Sequence, residues 1–101
     1  MKLRHFMKTV AAAGTAERLT ESNIDVLAVS IQAETSNTGV IYVGDEEVSA
    51  TDYGASLSGS DSFSASSVSL GIAPSRISLK DIWLDAGTST DGVSVTYFSE
   101  E

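Results

Sequence analysis

Apolar residues at every second position, in runs of three or four bounded by Gly, Asn and Asp, constrain this chain more than any other feature. Leu27, Val29, Ile31 and Ala33 share one face of an extended segment, and Val93, Val95 and Tyr97 share one face of another. A period of two is that of a strand with one face in a core and one in water. No segment keeps helical spacing over two turns. The best helical candidate, residues 11–19, is interrupted by Gly14 and Thr15.

Further strands are expected over residues 40–43, where Val40-Ile41-Tyr42-Val43 is apolar on both faces, and as a short return over 48–51. Others are expected over 61–70, with a one-residue slip at Ser66-Ser67, over 77–80, and over 82–86 after a twist at Asp81. Asn37-Thr38-Gly39 supplies a turn, and Asp91-Gly92 reads as the end of a hairpin loop feeding the closing strand over 93–98. The count is seven or eight short strands. The expected fold is all-β: a small antiparallel β-sandwich or jelly-roll-like barrel with an N-terminal arm, because an open sheet of that size would leave long edges exposed. The expected core is Leu27, Val29, Ile31, Ile41, Val43, Leu57, Phe63, Leu70, Ile77, Leu79, Ile82, Leu84, Val93, Val95 and Tyr97.

Length and composition narrow the functions open to such a fold. At 101 residues there is room for one domain. Ser and Thr make up 26 residues, about a quarter of the chain, which suits exposed strand faces and turns better than helices. With no cysteine, disulfide frameworks and thiol chemistry are excluded. The formal net charge of −8 argues against nucleic acid as a partner. No apolar run approaches the roughly 18 to 20 residues of a membrane span, and Val10 to Ala13 is too short for the apolar core of a secretion signal.

Charge is unevenly placed. Lys2, Arg4 and Lys8 precede the first acid, Glu17, and beyond residue 8 the chain carries three bases against fourteen acids. Residues 1–13 therefore read as a basic arm or edge strand on a single domain over 14–101. Lys2, Arg4, His5, Phe6 and Lys8 are the candidate partner-binding residues, reaching for an acidic surface or a second copy of the chain.

Catalytic and metal motifs are not found. His5 is the sole histidine, so neither a Ser-His-acid triad nor a multi-histidine metal site can be assembled. Phosphate-cradling and dinucleotide glycine patterns do not occur, and Gly54 to Gly59 reads as a flexible loop. Asp45-Glu46-Glu47 and the pair Asp85 and Asp91 are the only carboxylate groupings of note. The loop from Asp85 to Gly92 departs from a calcium loop by placing Gly87 and Ser89 at its third and fifth positions. No cofactor, metal or enzymatic activity is expected. Trp83, Phe63 and Tyr97 fit core positions, whereas Tyr42, Tyr53 and Phe98 are candidates for exposure.

Several of these segments together resemble a known group. Asn37-Thr38-Gly39-Val40-Ile41-Tyr42-Val43-Gly44-Asp45, then Val48-Ser49-Ala50-Thr51 and Tyr53-Gly54, is similar to stretches in small virion structural proteins of tailed bacteriophages. Leu57 to Ser62, Leu79 to Ala86 and Asp91 to Tyr97 follow the same pattern, the first with one serine inserted, so the likeness spans roughly residues 14–98. The resemblance implies a non-enzymatic virion component. The first expectation is a capsid decoration (cement) protein on the capsid surface, bound to the major capsid protein and to copies of itself as a dimer or trimer. A tail, baseplate or head-to-tail component is the alternative within that group, and a carbohydrate-binding or host-adhesion module is the alternative outside it.

Overall fold

The computed structural model describes residues 2–66 and 76–99. Among them are ten strands, more than the seven or eight expected, and no α-helix. In chain order they are β1 (Lys2–Thr9), β2 (Glu17–Arg18), β3 (Asp25–Val26), β4 (Ala28–Ala33), β5 (Ile41–Gly44), β6 (Ala55–Leu57), β7 (Ser62–Ser66), β8 (Ile77–Ser78), β9 (Trp83–Ala86) and β10 (Gly92–Ser99), with a 3₁₀ turn at Leu79–Asp81. The additional strands β2, β3 and β6 are pieces of two or three residues, too short to show a period in the sequence, and β6 runs through the Gly54 to Gly59 stretch that reads as a flexible loop.

Pairing is nested. β5 pairs with β6, β4 with β7, β3 with β8, β2 with β9 and β1 with β10, all antiparallel. This is a single long ribbon with its tip at the β5–β6 connection. Folding the ribbon over brings β10 beside β4 and β9 beside β5. The result is two four-stranded sheets, β1-β10-β4-β7 and β2-β9-β5-β6, with β3-β8 as a small third sheet. That strand order is jelly-roll connectivity, a sandwich whose inner faces supply the core.

Alternation assigns the faces. In the first sheet Val93, Val95 and Tyr97 of β10, with Val29, Ile31 and Ala33 of β4, point inward and are buried. From the second sheet come Ile41, Val43, Leu57, Leu84 and Ala86. Val26 and Leu79 close one end of this core, while Val10 and Leu19, in connections with no readable period, are also fully buried. Of the expected core, Leu27 is only half-buried. It forms the bend between β3 and β4, where the chain passes from the small sheet to the large one. Phe63, Ile77 and Ile82 are half-buried against the cluster, and Leu70 lies outside the described residues.

Four local expectations are corrected. Residues 11–19 form turns and β2 rather than a helix. The segment 48–51 is a turn with one isolated bridge, Ser49 to Asp52, and Val48 is buried beneath it. The slip expected at Ser66-Ser67 falls where β7 ends, and Ser67 lies outside the described residues. Asp91-Gly92 does not end a hairpin: β9 and β10 belong to different sheets, and residues 87–91 cross between them.

Asp91 is instead buried, and its two carboxylate oxygens accept the N–H groups of Thr38 (3.1 Å) and Gly39 (2.7 Å). Asn37 donates to the Gly92 carbonyl and accepts the Gly92 N–H, both at 2.9 Å. The 37–39 turn is thus clamped to the crossing loop by side chains that imitate a strand ladder.

Gly92 begins β10 under tight quarters. A Cβ there would lie 2.6 Å from the Lys8 carbonyl oxygen and 3.2 Å from Thr9 Cα, both backbone atoms of β1. Gly92→Ala is expected to push β1 off β10 and to cost about 1–3 kcal/mol, read as a lower urea midpoint with an unchanged slope.

Candidate functional site

Of the arm and the edge strand expected over residues 1–13, the structure forms an edge strand over Lys2–Thr9. β1 pairs with β10 along its whole length, from Lys2 opposite Ser99 to Thr9 opposite Gly92, and its other side has no neighbour among the described strands. It belongs to the same sandwich as the rest of the described chain.

Strand alternation divides the candidate residues. Lys2, Arg4, Phe6 and Lys8 lie on the inner side of β1, and Leu3, His5, Met7 and Thr9 on the outer. Phe6 is half-buried and meets Tyr97 edge-on, with centroids 6.1 Å apart, so it serves packing first. Lys8 is also engaged within the fold: its Nζ donates to Glu17 Oε1 at 2.9 Å. Glu17 sits opposite Leu84 in the second sheet, so this ion pair ties the two sheets together at the β1 edge. Lys2, Arg4 and His5 are exposed. Arg4 borders a polar cleft with Asn23, Asp25, Arg76 and Tyr97 at one end of the sandwich.

Charge singled out β1, yet large apolar side chains also stand exposed on it. Leu3 and Met7 are each 58% exposed, and Phe98, opposite Leu3 on β10, is 41% exposed. The outer face continues across the sheet through Ala28 and then a field of hydroxyls. Ala28, Ser30, Ser64, Ser66, Thr96 and Phe98 line a shallow groove there. Among the described residues, the large sheet therefore presents an apolar corner at the β1 edge and a neutral hydroxyl field beyond it. Leu3 and Met7 were legible as odd-numbered partners of the basic residues, but the uneven charge drew attention to the even ones.

The carboxylate groupings serve the fold. Asp85 is buried and accepts the Gly14 N–H at 2.9 Å, holding the 11–16 loop over the second sheet. Asp91 clamps the 37–39 turn, and Asp45 caps its own turn by accepting the Glu47 N–H at 2.9 Å. No three side chains of His, Cys, Asp or Glu converge among the described residues, and no helix there is long and apolar enough to cross a membrane.

The aromatic residues considered for stacking lie toward the second sheet. Tyr42 and Tyr53 pack on one another, with centroids 5.1 Å apart, and Tyr53 is exposed. Trp83, expected in the core, is half-buried on the outer side of β9. The Arg18 guanidinium covers its ring at 5.0 Å and occupies the face that a sugar would need.

Comparison of the chain with known protein families, with curated proteins and with solved structures gives no match.

The protonation of Glu17 is coupled to the β1 edge through Lys8. Burial pushes its carboxyl upward, but the Lys8 hydrogen bond, the Ala11 and Ala12 N–H groups and the Lys8 charge outweigh that and leave its pKa lowered. A lowered folded-state pKa contributes stability that is present above the ordinary value of about 4.5 and is lost as pH falls below it. Glu17→Gln is expected to cost about 1 kcal/mol at neutral pH, with the gap to wild type narrowing in urea titrations as pH falls below about 4.5. Asp91→Asn replaces one of two accepting oxygens with a donor and leaves a loop N–H unpaired. A loss of about 1–3 kcal/mol is expected by the same measurement.

Proposed function

We propose that this chain is a non-enzymatic structural protein of a tailed-bacteriophage particle, a capsid decoration protein that adheres to the major capsid protein shell at the capsid surface. The observation that carries this reading is the apolar corner at the β1 edge, where Leu3 and Met7 of β1 and Phe98 of β10 stand exposed and β1 has one side with no neighbour among the described strands. Apolar side chains beside unpaired strand backbone are what an adhesive domain offers a neighbour. The sequence resemblance supplies the setting. The negative remainder of the chain favours solubility of the particles it coats, and shell symmetry multiplies a modest contact many times over.

A tail or baseplate position is the second reading, and the same likeness to virion proteins favours it. Copy number separates the two: hundreds per particle for a shell component, against about six or twelve for a tail ring. Sugar binding is less favoured, because Arg18 occupies the Trp83 face and leaves Tyr53 as the exposed ring of that group.

Removing residues 1–8 would strip β1 from the sandwich and expose the β10 edge, so truncation tests folding rather than adhesion. Leu3→Glu combined with Met7→Glu alters the outer face and leaves the β1–β10 ladder intact. This variant is expected to keep its strand circular dichroism and to lose at least about tenfold in shell occupancy, the equivalent of about 1.4 kcal/mol per site. Wild-type occupancy would overturn the assignment of the surface, and absence of the natural protein from particles would overturn the function.

A further inference from the structure

The register of β10 fixes which backbone groups of β1 remain free. The Glu34 N–H donates to the Gly92 carbonyl, and the Val10 N–H to the Asp91 carbonyl. In an antiparallel ladder, bonding alternates residue by residue, so even-numbered residues of β10 bond toward β4 and odd-numbered ones toward β1. Their β1 partners are the even-numbered Lys2, Arg4, Phe6 and Lys8. The N–H and C=O groups of Leu3, His5 and Met7 therefore face outward from the sheet, and these residues also carry the apolar outer face.

We propose that β1 pairs with β1 of a second copy, antiparallel about a two-fold axis at His5, joining two four-stranded sheets into one of eight strands. This deepens the adhesive reading of β1 and rests on it. The strand is nearly self-complementary about His5. Leu3 meets Met7 of the second copy on the outer face, and Arg4 meets Phe6 in the closer, non-hydrogen-bonded pairing that suits a cation beside a ring. Both contacts occur twice.

Charge selects the same occupant. Lys2 of the second copy arrives beside Lys8, at the edge where Glu17 lies, so each Glu17 gains a second cation. β1 also lacks proline, whose missing N–H would interrupt a further ladder.

Because the chain has no cysteine, disulfide trapping reports the register cleanly. A residue on the two-fold in a hydrogen-bonded pair has its Cα about 5.5 Å from its mate, inside the disulfide range of about 4.4–6.8 Å. Purified His5→Cys is expected to form a covalent dimer on mild oxidation, much faster than the exposed control Ser36→Cys. Leu3→Cys mixed with Met7→Cys should cross-link to each other, with little self-dimer of either. Sedimentation of the natural protein should show a monomer–dimer equilibrium in the micromolar range. Met7→Pro, which removes an outward N–H that β10 does not use, should raise that Kd at least about tenfold with strand circular dichroism retained.

A monomer at all accessible concentrations, with His5→Cys cross-linking no faster than Ser36→Cys, overturns the self-pairing. So does rapid self-dimerisation of Leu3→Cys, which would demand another register. Purified protein is measured here without particles, so a monomer that still coats shells would fail this inference alone and leave the decoration reading standing.

Discussion

β10 is the strand on which the rest of the architecture depends. It bonds to β1 on one side and to β4 on the other, and its inward residues Val93, Val95 and Tyr97 sit in the middle of the large sheet's core face. Its backbone is paired with a strand on both sides over Val93–Phe98, and an unsatisfied buried N–H or C=O costs on the order of 1–3 kcal/mol. The strand must begin abruptly, because the chain arrives from the opposite sheet. Gly92 makes that start possible by letting β1 approach where a side chain would not fit.

The acidic residues follow from the same demand. A jelly roll of this length has many connections and few residues to spend on them, so turn N–H groups must be satisfied without additional strands. Asp91, Asp85, Asp45 and Glu17 each accept at least one backbone N–H from a loop. Carboxylates that hold turns are already engaged by hydrogen-bond donors, which gives the negative composition a structural explanation apart from any chemistry. Glu17 adds a contact between the two sheets through Lys8, the one base of the N-terminal segment drawn into the fold.

The long strands were legible because their inward residues alternate without interruption, and Val29, Ile31, Val93, Val95 and Tyr97 lie where alternation puts them. Leu27 belonged to the same run and escaped burial, because the chain bends there between two sheets, a tertiary event that a period of two does not encode. Val10, Leu19 and Val48 are buried in connections, where no period exists to reveal them. Asp91-Gly92 misled because a turn signal states that the chain turns, not which sheet it turns into. At the edge, charge pointed to β1, and the parity of the ladder then shifted emphasis within it from Lys8 and Phe6, which serve the fold, to Leu3 and Met7. That parity depends on β10, a partner some ninety positions away in the chain.

The nested ribbon orders the assembly of its own surface. Pairs near the tip enclose short loops, whereas β1 and β10 enclose almost the entire sequence and bear the largest closure entropy. Zipping outward from the tip would seat β1 last, over a core already closed. Until β1 arrives the β10 edge stands open, so seating the last strand exchanges one unpaired margin for another.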